Sequence, residues 1–247
     1  MNYDLLRLCV RKLLKDRGFT LVVVLTLAMG IGANTLVFSA LNQAYFQSLP
    51  FPASEELVKI GLRGNGGELQ KLSFPQFAYL RDHSQSWRRL AALQAAGLNL
   101  TGIDQPASVQ ATRVSAGFFE MLRVQPILGR AFDSSAHAAG ADRVLLLSYY
   151  TWLGRFSGAT NVIGKTVRLN LESYQVIGVL PPGFAVPVEA GNSEVWIPLV
   201  ISDRDLRNGA PNVAVVARLN AHEAKLKARE ELKLVDRAFR EQYRVPS

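Results

Sequence analysis

Leu21-Val22-Val23-Val24-Leu25-Thr26-Leu27-Ala28-Met29-Gly30-Ile31-Gly32-Ala33-Asn34-Thr35-Leu36-Val37-Phe38 is the stretch on which the architecture turns. It sits inside an uncharged run of 28 residues, 19–46. A helix needs about 20 apolar residues to cross roughly 30 Å of hydrocarbon. The run therefore predicts a transmembrane helix over residues 19–46, long enough to span with tilt. Thr26, Gly30, Gly32, Asn34, Thr35 and Ser39 soften it. Small and weakly polar side chains let a second helix approach closely and hydrogen-bond across the contact. Gly30, Gly32, Asn34 and Thr35 are thus candidate helix-packing residues. The plainer reading of Asn34 is an amide that bonds internally or sits at the interface.

The flanks set the orientation. Residues 1–18 carry Arg7, Arg11, Lys12, Lys15 and Arg17, whereas residues 47–60 carry a single Lys59 beside Glu55 and Glu56. Basic residues stay on the cytoplasmic side. Residues 1–18 are then a basic, amphipathic cytoplasmic segment, with Leu5, Leu6, Leu8, Leu13 and Leu14 for the inner leaflet. The remaining 200 residues or so form an extracytoplasmic domain. Ala28-Met29-Gly30 has the small-x-small pattern of a signal-peptide cleavage site. The apolar run continues well past it, which favours an uncleaved anchor.

The net charge of +8 comes from 28 Lys and Arg against 20 Asp and Glu. Once residues 1–18 are set aside, 23 basic and 18 acidic residues remain, scattered along the chain. No basic stripe or reading motif for nucleic acid is present. The only cysteine is Cys9, so the outer domain folds without a disulfide of its own.

After the stiff exit Leu49-Pro50-Phe51-Pro52, residues 57–62 read as a strand closed by a turn at Gly64-Asn65-Gly66-Gly67. Ser73 reads as a helix N-cap with Pro75 in the first turn and Phe77, Leu80 and Trp87 on the apolar face. Residues 90–100 and 108–114 read as strands, and Ser115 as the cap of a short helix bearing Phe118, Phe119 and Leu122. The character changes after Pro126. Residues 144–147 form a fully apolar strand, and Ser148 caps a helix with Tyr149, Trp152 and Phe156, a core face more than an exposed stacking surface. Residues 166–170 and 174–180 alternate as a hairpin that Pro181-Pro182-Gly183 stops. Residues 194–199 read as a strand pushed to an edge by Pro198, and Asp203-Arg204-Asp205 as a solvated loop. Val213, Val215 and Ala217 mark one face of a strand. Ala228, Leu232, Val235, Phe239 and Tyr243 form the stripe of a last amphipathic helix. The class is α+β.

Several of these pieces resemble one known family. Gly18-Phe19-Thr20 and residues 25–35 look like the first membrane helix of MacB-type ABC transporter permeases, most nearly the duplicated orphan permeases of acidobacteria. Val114-Ser115-Ala116-Gly117-Phe118-Phe119, Leu128-Gly129-Arg130, Leu147-Ser148-Tyr149 with Trp152, Val162-Ile163-Gly164-Lys165 and Val176-Ile177-Gly178-Val179-Leu180-Pro181-Pro182-Gly183-Phe184 resemble its periplasmic core domain. The resemblance implies a porter-like βαβ subdomain over residues 47–125 plus 206–247, and an inserted β-rich subdomain over 126–205. It implies an inner-membrane protein, single-pass in this chain, with a cytoplasmic N-terminus and a periplasmic domain. Its partners would be further permease helices or a second permease copy, a separate cytoplasmic ABC ATPase, a periplasmic adaptor and the lipid bilayer, with no nucleic acid. Such permeases continue into three more membrane helices, so the resemblance also implies that this chain is a fragment, a truncated gene product or a degenerate copy. Two residues depart from the pattern. Leu171 stands where the hairpin turn has glycine, and Leu219-Asn220-Ala221-His222 replaces a proline-glycine turn, with Asn220 available as an N-cap.

No site chemistry competes. Gly64-Asn65-Gly66-Gly67 is followed by Glu68, without the lysine a phosphate-cradling loop needs. His83, His137 and His222 are far apart and lack cysteine partners. No Gly-x-Ser-x-Gly elbow occurs. The expectation is a transporter component without catalytic residues, cofactor or metal, coupling ATP-driven helix motion to events outside. The alternative is a stand-alone anchored binding module without transport activity.

Overall fold

The computed structural model describes residues 17–45, 52–63, 68–103, 105–184, 186, 193–220 and 225–243. The chain divides into two compact units, Met1–Ser48 and Leu49–Ser247. In the first, α1 (Arg17–Tyr45) is one continuous helix of 29 residues, about 43 Å long at 1.5 Å per residue. Phe19, Leu21, Val22, Val24, Leu25 and Leu27 are all exposed on it. Its side chains are described for Gly18 to Gly32 and for Asn34 and Thr35. Among the described residues no helix is long and apolar enough to cross a membrane. The uncharged run that predicts a span continues in sequence beyond that described part.

The second unit is a mixed α and β domain. Its strands are β1 (Leu57–Ile60), β2 (Leu62–Arg63), β3 (Leu69–Gln70), β4 (Trp87–Thr101), β5 (Ala107–Val114), β6 (Leu128–Gly129), β7 (Val144–Leu147), β8 (Thr166–Leu169), β9 (Glu172–Val179), β10 (Val195–Pro198) and β11 (Ala214–Leu219). Nine of them form one sheet in the order β1-β11-β4-β5-β10-β7-β9-β6, with β8 pairing both β4 and β9. The β4–β8 pairs, Leu100 with Leu169 and Thr101 with Arg168, close β4, β5, β10, β7, β9 and β8 into a ring. Alternating residues point inward. Leu100, Val109, Leu147, Val167, Leu169 and Val195 thus meet in one core inside it.

Five further helices cover the sheet: α2 (Phe74–His83), α3 (Phe118–Leu122), α4 (Tyr149–Phe156), α5 (Asp203–Leu206) and α6 (Lys225–Tyr243). α2 and α6 share one core with β1 and β11, through Phe77, Leu80, Val215 and Leu232. α3 packs Phe118, Phe119 and Leu122 into another, against Trp196 and Val216. β11 lies between these two cores, and all six of its residues are buried. It therefore buries both faces, not only the one carrying Val213, Val215 and Ala217.

Local signals in the sequence account for the starts of α2 and α4. Ser73 and Gln76 form a reciprocal capping box on α2, with Pro75 in the first turn. The Ser148 side chain accepts from the Thr151 N–H and caps α4. Other expectations are corrected by long-range packing. Trp87 opens β4 and is not on the α2 face. Ser115 does not cap α3, whose N-cap is Gly117 in the left-handed region. Ser115 Oγ instead accepts from the Ala92 N–H at 2.9 Å, tying the end of β5 to β4. β10 is an interior strand between β5 and β7. Pro198 is its last residue and lies past the two pairs with β7, Val195–Leu147 and Trp196–Leu146, so its missing N–H interrupts neither. Asp203-Arg204-Asp205 forms a short helix because Ser202 and Asp205 cap each other. The turn at 64–67 lies outside the described residues, as do Ala221 and His222 of the turn at 219–222.

Two glycines of the family-like motifs are cross-strand partners: Gly129 on β6 opposes Gly178 on β9. Register shifts at this point, where Leu145 pairs with Val176 but Leu146 pairs with Gly178. Ile177 is the extra residue of a bulge. A Cβ on Gly129 would sit 2.0 Å from the Ile177 oxygen, and one on Gly178 would sit 2.7 Å from the Arg130 oxygen and 2.8 Å from Leu146 Cδ2. At the β8–β9 turn, Asn170 (φ 48°) and Leu171 (φ 73°) both have positive φ, as a two-residue type I′ turn requires. The turn keeps its type and Leu171, 83% exposed, bears the strain.

Gly178→Ala should lower stability by roughly 1–3 kcal/mol through overpacking, and Leu171→Gly should raise it by about 1 kcal/mol. Denaturant unfolding of the full chain checks both signs. A third expectation concerns Glu231 on α6, whose carboxylate accepts from the N–H groups of Gln85 (2.7 Å) and Ser86 (2.9 Å). Burial pushes that carboxyl up, but the N–H donors outweigh it and hold it below its ordinary value. Its contribution, about 1 kcal/mol after solvent screening, is then present at neutral pH and lost as pH falls through the lowered folded-state value. Glu231→Gln should show a smaller fall in stability than the parent chain across that acid range.

Candidate functional site at the domain entry

A charged residue inside a buried strand needs partners for every donor it takes out of water. Arg218 on β11 is the only charged residue buried among the described residues, at 2% exposure. Its Nε donates to the Met121 oxygen of α3 at 2.8 Å. Nη1 donates to the Ala53 oxygen and to Glu56 Oε2, both at 2.9 Å. Nη2 donates to the Pro52 oxygen at 3.1 Å. Ala53 adopts the left-handed region, with φ 52° and ψ 50°, an arrangement a non-glycine residue holds only at a cost. One guanidinium therefore fastens residues 52–56, where the chain enters the domain, to β11 and to α3.

This clamp was not singled out from the sequence. The signal available was an arginine in the otherwise apolar run 213–219, downstream of a Glu55-Glu56 pair. Strand periodicity alone could not say that position 218 faces inward beside residues 52 and 53.

The predicted residues of the uncharged helix all fall on α1. A Cβ on Gly30 or Gly32 would meet nothing within 4 Å, and Asn34 and Thr35 are exposed. The Thr35 hydroxyl donates to the Ile31 oxygen at 2.8 Å, as Thr26 does to the Val22 oxygen. At 3.6 residues per turn, Thr26, Gly30 and Asn34 line one side, whereas Gly32 and Thr35 line the opposite one. The helix thus offers two small-residue rows rather than a single face.

A second polar feature is a cleft of about 390 Å³ beside β5 and β10, reached by Gln94, Arg113, Arg143, Tyr174 and Asp205. Arg113 donates to Gln94 at 3.3 Å and Arg143 to Glu172 at 2.9 Å. Burial and then the Glu172 charge push the Tyr174 phenol up, so it stays protonated, a hydrogen-bonding group and not a base. Among the described residues no group of three or more His, Cys, Asp or Glu could hold a metal ion. His83 stacks on Tyr79 with 3.9 Å between centroids, and His137 faces the Leu199 oxygen. His222 lies outside the described residues.

Comparison with known proteins places this arrangement. The periplasmic region of MacB from Actinobacillus actinomycetemcomitans matches with a TM-score of 0.59 at 14% identity, covering 74% of this chain and 83% of that one. The extracellular domain of the noncanonic ABC-type transporter YknZ from Gram-positive bacteria matches with a TM-score of 0.55 at 15% identity, covering 76% and 94%. At such identities the likeness concerns the fold. No curated protein matches the chain. The family model of the MacB-like periplasmic core domain matches residues 20–233. By that match, the chain belongs to the family of MacB-type ABC transporter permeases that carry the MacB-like periplasmic core domain.

Proposed function

We propose that this chain is a membrane-anchored permease component that passes ATP-driven motion of membrane helices to its periplasmic domain through the Arg218 clamp. The clamp carries the reading, because it grips residues 52–56, the first described part of the domain. A displacement arriving along the chain meets three hydrogen bonds to a buried strand and not a loose linker. Family membership supplies the context, since domains of this family are parts of transporters. The domain does no bond chemistry in this reading.

The remaining assignments follow the residues. Residues 19–46 form the inner-membrane span, single-pass in this chain, with residues 1–18 cytoplasmic and the domain periplasmic. The exposed apolar side chains of α1 support a lipid environment. Residues 47–125 plus 206–247 are the porter-like part, and 126–205 the inserted β-rich part. Gly30 with Asn34, and Gly32 with Thr35, serve as packing rows for further permease helices or a second permease copy. A separate cytoplasmic ABC ATPase drives the assembly, and a periplasmic adaptor is a further partner. The sequence of residues 18–35 favours the duplicated acidobacterial permeases as the nearest group.

Protease added to spheroplasts should digest the chain after about residue 47, and crosslinking should capture an ABC ATPase or a permease. A protected domain would overturn the orientation, and an accessible domain that captures neither would leave an anchored binding module. Arg218→Met should cost roughly 3–5 kcal/mol, because it strands Glu56 and several carbonyls. Glu56→Gln keeps an acceptor and should cost only about 1 kcal/mol. If the clamp transmits motion, Glu56→Gln should lower the substrate-stimulated part of the partner's ATPase activity while the domain stays folded; unchanged stimulation would count against it. Asn34→Leu should leave membrane insertion intact and reduce co-purification with a permease partner several-fold.

A further inference from the structure

Between α6 and the edge strand β1 runs a groove whose chemistry differs at its two ends. Two adjoining cavities, of about 640 and 350 Å³, share Ile60, Gly61, Leu232 and Lys233. In the larger, Val58, Ile60, Trp87, Leu219, Ala228 and Leu232 supply the apolar floor. The smaller continues it with Leu72, Leu80, Val235 and Phe239. From Ala228 to Phe239 the helix advances about 17 Å, the reach of a long acyl chain.

Charge is placed unevenly along this path. Lys59, Lys225, Arg229 and Lys233 line the larger cavity, and among the described residues no carboxylate does. Lys233 is bonded to Glu230 at 2.7 Å. Among the described residues Lys59, Lys225 and Arg229 make no ion pair, and all three are exposed. At the other end Arg240 is matched by Asp236 at 2.8 Å, so that end has little net charge. An apolar trough whose described lining carries an excess of cations at one end is complementary to a molecule with one anionic head and one long apolar tail. An acidic peptide would instead call for cations repeated along the whole groove.

We propose that this groove binds a long-chain anionic amphiphile, with its tail under α6 and its head at Lys225 and Arg229. The inference goes beyond the coupling reading and stands without it.

The test uses the full chain in zwitterionic nanodiscs and photoreactive hexadecanoic acid, with the attachment sites mapped by peptide mass spectrometry. Label is expected on residues 57–63 and 225–240, in addition to bilayer-derived label on residues 17–45. Replacing the probe by the matching uncharged alcohol, or making Lys225→Ala with Arg229→Ala, should lower the groove label by on the order of tenfold. Label on residues 17–45 should not change and serves as the internal reference. Both substitutions lie on an exposed helix face and favour helix, so the fold is retained. Label confined to residues 17–45, or groove label indifferent to the head's charge and to both substitutions, would overturn the proposal.

Discussion

Strand β4 has to satisfy two structures with one backbone. Over Trp87 to Leu93 it pairs with β11. From Leu93 to Leu100 its other edge pairs with β5, and at Leu100 and Thr101 the first edge is taken up again by β8. The strand therefore leaves the open sheet carrying β1 and β11 and enters the closed ring around the second core. Its 15 residues are well beyond an ordinary strand, and that length lets the two cores share one continuous ladder. Closure leaves the ring without a free edge where β4 and β8 meet.

The bulge at Ile177 answers the same constraint from the other side of the ring. Val176 and Val179 both belong to the ring's core, whereas Ile177 packs in the core beneath α3. In a regular strand, residues three apart point to opposite faces. The inserted residue restores the inward direction of Val179, and the close approach of β6 leaves room only for Gly129 and Gly178. Two glycines of the family-like motifs, Gly129 and Gly178, are thereby explained by the close approach of β6 and β9.

Arg218 brings that framework to the domain entry. A buried guanidinium is costly unless its donors are met, and they are met here by α3, two entry carbonyls and Glu56. Because β11 is buried on both faces, the entry segment is tied to a strand packed between two cores. The clamp and the cation-rimmed groove lie on different faces of the sheet, since Arg218 reaches α3 whereas the groove lies under α6.

The sequence by itself determined the features that depend on neighbours in the chain. The uncharged run, the caps at Ser73 and Ser148, the hairpin before Pro181 and the stripe of α6 follow from local hydrogen bonding and periodicity. The strain at Leu171 was legible for the same reason, because a two-residue turn fixes which φ values its residues take. Tertiary structure decided what depends on residues distant in the chain. Ser115 bonds Ala92 instead of capping a helix, and Pro198 ends an interior strand. The β4–β8 closure, the Arg218 clamp and the groove under α6 join segments about 70 to 170 residues apart. Periodicity reports which side of a strand or helix is apolar, but not which distant segment will cover it. That pairing is set by how the whole chain buries its apolar surface while meeting its buried polar groups.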